Sequence, residues 1–458
     1  MLRFFEVGKL KEALEREKER AEGYLNRLKY LQADFENYQK RVKREQEELV
    51  KRGSEQLIVK LLSVVDDLEH AIEASKNSSD KEAFVSGVEM VPKISIFIPV
   101  YRESELLEPL LVDLLTDPYE NKEIFLVVDE PTPKSLKLVD EFRDKVHFVL
   151  NGERKGKVNV LNEVVKESRG EILLFLDSDV QIDCRSGRFL SRISEEMREA
   201  QMVEIKKGII RDSFLARIVS YDYLGVDFAN WLFSRMLKKC LGFNGAAFAI
   251  KRETFTSLGG FRRVISEDLD MGTRSFKEGV RFKYLEDIGV YTRAPSSWRE
   301  WFKQRKRWGV GTGFWLKKYF RDLVRIVQKY PRVPLSLLFI FPSLPLLLIV
   351  LLIPDELPVK IIYISLLLLS TWTSLLLPPA AFTSTTIFLL KNLFLTVCNI
   401  GVYSTIFYVI ARKLGHSFNP LEFIFFYLVY SPLWLLIVIT SIVKVWTNPG
   451  WVDVDWKV

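Results

Sequence analysis

Between residues 334 and 446 the chain is almost continuously apolar, and this stretch rules out a wholly soluble fold. It divides into four runs, 335–353, 359–377, 382–410 and 423–443. The first, second and fourth are about 20 residues each, enough to cross ~30 Å of hydrocarbon. The third is longer and carries Lys391 and Asn392 near its middle. It reads either as one tilted span or as an interfacial piece followed by a span from near Asn392. The expectation is a transmembrane domain of about four helices over 334–446, with three as the alternative, and a C-terminal tail, 447–458. Just ahead, residues 298–333 mix Trp and Phe with Arg and Lys, the pattern of an amphipathic interfacial segment.

Charge places that segment. The chain carries 66 Lys and Arg against 59 Asp and Glu, a net charge of +7, and much of the excess lies between Arg299 and Arg332. Basic residues flanking a first span predict the cytosolic side and contact with anionic membrane lipid. No recognition motif accompanies the charge, so nucleic acid is not an expected partner. The charged, helical N-terminus predicts no signal peptide. Three unpaired cysteines (Cys184, Cys240, Cys398) exclude a thiolate zinc site, and three scattered histidines (His70, His147, His416) argue against a Ser-His-Asp or His-metal mechanism. Acid–base chemistry falls to carboxylates.

Residues 1–91 are dominated by Glu, Lys and Arg. Apolar residues recur at Leu10, Leu14, Ala21, Leu25, Leu28, Leu31, Phe35, Tyr38, Val42 and Leu49, mostly in steps of three, four or seven, which is a coiled-coil seam. The stretches Leu31-Gln32-Ala33-Asp34-Phe35-Glu36-Asn37-Tyr38-Gln39-Lys40-Arg41 and Leu61-Leu62-Ser63-Val64-Val65-Asp66-Asp67-Leu68-Glu69-His70-Ala71, with Gly87-Val88-Glu89-Met90, resemble the N-terminal helix of GrpE nucleotide-exchange factors, which act on Hsp70 chaperones. The resemblance implies a rod able to self-associate as a coiled coil, and its alternative functional reading is a co-chaperone or interaction protein. It stops at Met90, without the family's β-domain, and an unrelated strand begins at Lys93. A rod joined to a separate enzyme as a fusion partner is therefore expected.

From Ile94 the pattern changes. The runs 94–100, 123–128, 146–150 and 172–176 read as buried parallel strands, and 104–115, 134–143 and 156–167 as intervening helices. This alternation predicts an α/β domain over 92–297 with a doubly wound, mostly parallel sheet. Ligands in such sheets gather at the carboxyl ends of the strands. Asp129 and Asp177 each directly follow a strand, and Pro99 and Tyr101 close the first.

Asp177-Ser178-Asp179 offers hard oxygens suited to Mg²⁺ or Mn²⁺, which could neutralise a diphosphate leaving group. In isolation such a tripeptide is more often a cap or solvated turn; its place after a buried strand reverses that preference. Asp129-Glu130 follows another strand, though Pro131 and Thr132 also allow a cap. Lys155-Gly156-Lys157 precedes a helix, where lysines either meet phosphate or lie on the surface. Ser266-Glu267-Asp268-Leu269-Asp270 offers a carboxylate able to take a proton from a hydroxyl, or a helix cap. Gln304, Arg307 and Trp308 share one helical turn, where Arg suits phosphate and Trp a sugar ring. Trp298, Trp301 and Trp315 fit an anchoring belt.

Taken in order and spacing, these clusters resemble a family-2 glycosyltransferase with the GT-A fold. Ile98-Pro99-Val100-Tyr101-Arg102-Glu103 resembles the opening strand and nucleotide-contacting turn, and Phe243-Asn244-Gly245-Ala246-Ala247 with Gly259-Gly260-Phe261 the acceptor-side loop and the following turn. The resemblance implies inverting transfer of a sugar from a UDP-sugar to a lipid or growing polysaccharide acceptor, with the catalytic domain on the cytosolic face of the cell membrane. It implies Asp268 as general base. Pro99, Tyr101, Glu103, Asp129, Lys157, Asp177, Ser178, Asp179 and Arg307 would bind the nucleotide. Asp179 and Asp177 would hold Mn²⁺ or Mg²⁺, and Glu267, Gln304 and Trp308 would face the acceptor. A sensor with a degenerate site is the competitor; it predicts a lost acidic cluster, and none is lost. Pro131 after Glu130, and Lys251-Arg252 in place of Arg-Arg, are departures that remove no catalytic group.

Overall fold

The computed structural model describes residues 91–183, 187–352, 356–373 and 384–448, with isolated residues between Leu14 and Lys43. The chain divides into two units, Met1–Met90 and Val91–Val458. In the first, the isolated residues are helical, and Lys18 pairs with Glu15 one turn away at 3.1 Å. The expected coiled-coil self-association falls outside the described residues.

The second unit is built on an eight-stranded sheet: β1 (Ile94–Tyr101), β2 (Lys122–Asp129), β3 (His147–Asn151), β4 (Ile172–Leu176), β5 (Val180–Ile182), β6 (Met202–Ile210), β7 (Ala247–Lys251) and β8 (Phe282–Arg293). Their spatial order is β3-β2-β1-β4-β7-β6-β8-β5. The four expected strands form a parallel block, in which Tyr101 lies beside Asp129 and Asp129 beside Asn151. β7 joins antiparallel between β4 and β6, β6 pairs parallel with β8, and β5 closes the edge antiparallel. The sheet is thus mixed but mostly parallel, as expected, with a second half that the apolar runs did not reveal.

Helices cover both faces. On one, α1 (Leu107–Thr116), α2 (Pro133–Phe142) and α4 (Phe189–Glu199) pack Leu110, Leu138 and Ile193 against the sheet. On the other, α3 (Lys157–Glu167), α6 (Arg252–Ser257) and α7 (Glu267–Glu278) contribute Leu161, Phe255 and Met271. A ladder of stacked rings, Phe125–Phe97–Phe175–Phe248, crosses β2, β1, β4 and β7 with centroids 5.0 to 5.5 Å apart. Such cross-strand pairs fix the register that brings the strand ends level.

The remaining helices are α5 (Phe214–Met236), α8 (Trp298–Lys329), α9 (Leu337–Ile340), α10 (Leu344–Leu352), α11 (Glu356–Thr373), α12 (Ser384–Leu414), α13 (Pro420–Phe425) and α14 (Ser431–Thr447). Among the described residues two helices are long and apolar enough to cross a membrane, Phe388–Leu414 and Pro420–Thr447. α12 turns Phe388, Leu389, Leu393, Phe394 and Val397 outward, as a lipid-facing helix does. The first expected span, 335–353, is instead broken into a 3-10 turn and the short helices α9 and α10. The cause is Pro342: it lacks an amide proton and forces Phe341 out of the helical region (ψ 77°). Ser343 in the break is buried and bonds Ser431.

α8 spans most of the expected interfacial segment, 298–333, and is not simply a surface belt. A Cβ on Gly309 would lie 2.7 Å from Ser441 Oγ, and one on Gly313 3.1 Å from Val445, so one face packs closely on α14. Trp301 is buried and Trp315 bonds Thr273; of the three expected anchors, Trp298 is the exposed one.

Candidate active site

The carboxyl ends of β1, β2 and β4 meet where the strand order reverses between β1 and β4. Two non-glycine residues there hold left-handed backbones, Arg102 (φ 64°) after β1 and Glu130 (φ 53°) after β2. Such conformations cost energy and cluster at ligand sites. The two residues are ion-paired at 3.2 Å, and Tyr101 Oη donates to Glu130 at 3.1 Å. The Tyr101 ring is exposed and carries the Arg154 guanidinium 4.3 Å from its centroid. Glu103 accepts from Thr132 Oγ1 at 2.8 Å.

Asp129 is buried. One of its oxygens accepts from Asn151 Nδ2 and the other from the Gly156 amide, each at 2.9 Å. Gly156, with φ 86°, is the N-cap of α3, so Asp129 fixes the turn that delivers Lys157. Lys157 Nζ lies 2.6 Å from Asp177 and 3.6 Å from Glu267. One ammonium therefore joins the end of β4 to the start of α7. Pro99, Lys157, Asp177, Glu267 and Asp268 line a single pocket with Phe175, Phe243, Gly245 and Phe248.

Within the pocket the electrostatics are uneven. Burial, reinforced by the neighbouring Glu267 carboxylate, pushes the Asp268 carboxyl up to about 7. Asp268 Oδ1 accepts from the Leu269 amide at 2.8 Å; a Cβ on Gly245 would lie 3.8 Å from Oδ2, so that oxygen faces the Gly245 loop. Burial alone would lower Lys157, but the carboxylates of Asp177, Glu267 and Asp268 outweigh it and hold the ammonium above its ordinary value.

Asp179 is exposed and accepts from Thr292 Oγ1 at 3.2 Å, and the Ser178 carbonyl accepts from Ser104 Oγ. Among the described residues no group of three or more His, Cys, Asp and Glu side chains converges on a metal position. The donor set fits a divalent ion that takes one or two carboxylates and completes its shell with phosphate and water. With Asp177 engaged by Lys157, Asp179 is the more available of the two.

Gln304, Arg307 and Trp308 lie on α8, outside the lining of this pocket. α8 nevertheless approaches it: a Cβ on Gly311 would collide with Ser266, the residue that starts α7. Within the basic run, Arg305 is the buried member and Arg307 is exposed.

Sequence reasoning missed Asn151 and Glu204. Glu204, wholly buried on β6, accepts from Asn230 Nδ2 at 2.9 Å and from the Asn244 amide at 2.9 Å, and so braces the loop that faces Asp268. Burial pushes its carboxyl well above the ordinary range. A charged residue inside a strand carries no distinctive signal, since Lys206 and Lys207 follow in the same run.

Residues 172–443 match the model of glycosyl transferase family group 2, more than half of the chain. Residues 95–208 match glycosyl transferase family 2, and residues 5–95 match GrpE. The chain belongs to the family-2 glycosyltransferases, with a GrpE-like segment ahead of the glycosyltransferase region. It is 22% identical over 266 residues to the probable glycosyltransferase YdaM of Bacillus subtilis (strain 168), covering 55% of this chain and 62% of that protein. It is 22% identical over 228 residues to the poly-beta-1,6-N-acetyl-D-glucosamine synthase of Staphylococcus aureus (strain COL), covering 49% and 55%. The matched region thus spans less than two thirds of each relative. Similar solved structures include the mannosyltransferase PcManGT from Pyrobaculum calidifontis in complex with GDP-Man and Mn²⁺ (19% identity, TM-score 0.42, 68% of this chain and 88% of that one). S. aureus TarS 1-349 in complex with UDP-GlcNAc is another (18%, TM-score 0.36, 48% and 66%).

Proposed function

We propose that the chain is an inverting, divalent-metal-dependent transferase that moves a sugar from a UDP-sugar to a lipid or growing polysaccharide acceptor. It would act at the cytosolic face of the cell membrane, where nucleotide sugars reside. The observation that carries this reading is the Lys157 bridge, which gathers Asp177, Glu267 and Asp268 into one pocket at the strand ends. The named polysaccharide synthase among the relatives supports a polymer acceptor. The outward apolar face of α12 supports a membrane setting.

In this mechanism Asp268 Oδ2 takes the proton of the acceptor hydroxyl as the hydroxyl oxygen attacks the anomeric carbon. The bond from that carbon to the diphosphate oxygen breaks on the opposite face, and its electron pair leaves with UDP. A carboxyl held near 7 suits proton uptake at neutral pH. Tyr101, with Pro99 and Glu103 beside it, supplies a platform for the base and ribose, and Asp129 orders the turn beneath it. Asp179, with Asp177 and the Ser178 backbone beside it, would hold Mn²⁺ or Mg²⁺, which supplies charge to the diphosphate. Lys157 and Arg307 add cationic groups for the diphosphate. Trp308 offers the acceptor a flat apolar face, and Gln304 on the same helix and Glu267 in the pocket would supply polar groups to it. By this reading residues 92–297 are catalytic, 298–333 interfacial and 334–446 membrane-embedded, and the rod over 1–91 takes no part in the reaction.

The test is UDP release from UDP-glucose, UDP-galactose and UDP-N-acetylglucosamine by the full chain with membrane lipid and Mn²⁺ or Mg²⁺. Turnover of one donor that disappears with chelator supports the reading; release from none of them opposes it.

A further inference from the structure

The basic run on α8 hides a residue to which the sequence assigns no task. Arg305 is 1% exposed, and its Nη2 lies 2.8 Å from the buried Asp222 carboxylate of α5. The same nitrogen donates to Tyr430 Oη at 2.8 Å. Tyr430 Oη also accepts from Trp301 Nε1 at 3.0 Å and donates to Asp222 Oδ2 at 3.2 Å. Tyr430 closes a five-residue π-helix, Phe426–Tyr430, set between α13 and α14. Such wide turns are rare in proteins, and those that occur are often at functional sites. The guanidinium centre sits 4.2 Å from the Trp308 ring centroid and 5.2 Å from that of Trp434.

A buried ion pair is poor value as a source of stability, because desolvation consumes most of its Coulomb gain. Its planar guanidinium is instead a rigid surface for stacking. We propose that Arg305, held by Asp222 and Tyr430, is a positioning residue: it fixes the plane of the Trp308 indole so that the opposite ring face can receive the acceptor. The device ties the C-terminal helices to the acceptor side of the site through the π-turn tyrosine. It rests on the reading of Trp308 as the acceptor platform.

Tyr430→Phe removes the hydroxyl alone, and Arg305→Lys keeps the charge opposite Asp222 while losing the stacking plane. Full-length protein in lipid nanodiscs, labelled with 5-fluorotryptophan, gives a ¹⁹F resonance for Trp308, assigned by its loss in Trp308→Phe. Both variants should shift or broaden that resonance and leave that of Trp315 in place. In native membranes supplied with radiolabelled UDP-glucose or UDP-N-acetylglucosamine, both should lower the ratio of label in lipid-soluble or ethanol-insoluble product to free sugar by about tenfold. Total UDP release should stay within about twofold of the parent. An unmoved Trp308 resonance, or an unchanged ratio of transfer to hydrolysis in an active enzyme, overturns the proposal. If the parent protein releases no UDP, the transferase reading fails and the Trp308 resonance alone decides the role of Arg305.

Discussion

Asp268 and Asp270 sit two residues apart on the first turn of α7 and face opposite surroundings. Asp268 looks into the pocket, where its nearest charged neighbours are another carboxylate and one shared ammonium, and its carboxyl is raised to about 7. Asp270 turns toward α8. Burial would raise it too, but Lys318 at 2.6 Å, Tyr319 at 2.8 Å and Arg274 at 2.8 Å hold it below the ordinary range. The same helix dipole acts on both, so partners decide the outcome. The compensated carboxylate fastens α7 to α8; the uncompensated one can exchange a proton.

Substitutions can break this contrast. Asp268→Asn should lower turnover in UDP-release assays by about a thousandfold, the scale of a lost general base. It should not lower the thermal midpoint. The folded carboxyl titrates above its ordinary 3.8, so its stabilising contribution is full below the unfolded value and is lost as pH rises through about 7. At pH 8 the Asn variant should therefore melt at or above the parent temperature. Asp270→Asn should do the reverse: a stability loss of about 3 kcal/mol, because Arg274 is left buried beside an uncharged group, with turnover per folded molecule largely kept. Its depressed carboxyl adds stability above the unfolded value, and that share fades as pH falls. Chemical denaturation at pH 7 and pH 4 checks both statements.

Smaller effects sharpen the contrast. Asp179→Asn should raise the Mn²⁺ concentration needed for UDP binding, read by calorimetry, by on the order of tenfold. Glu267→Gln removes a like charge and should lower the apparent value of Asp268 by about one unit, whereas Lys157→Met removes the cation and should raise it by a similar amount.

The parallel half of the sheet was legible because strands buried on both faces read as continuous apolar runs. That placed Asp129 and Asp177 at strand ends, where the structure has them. β6 and β8 escaped because Glu204, Lys206 and Lys207 interrupt the one and Glu286 and Asp287 the other. Glu204 is tolerable inside a strand only through Asn230 and the Asn244 amide, partners that no local pattern announces. Arg305 escaped for a similar reason. Its run looks like a membrane-facing belt until Asp222 and Tyr430, both remote in sequence, are brought beside it. Asp129 was legible as a site residue, but its use in holding Gly156 was not. Pro342 was visible, yet the apolar run around it suggested an unbroken span.

The pH dependence of kcat/KM for UDP release tests the central claim most directly. The account predicts that activity rises through an apparent value near 7 in the parent enzyme, and that this limb moves to lower pH in Glu267→Gln. A profile flat from about pH 5.5 to 8.5 in the parent would contradict the assignment of Asp268 as the base.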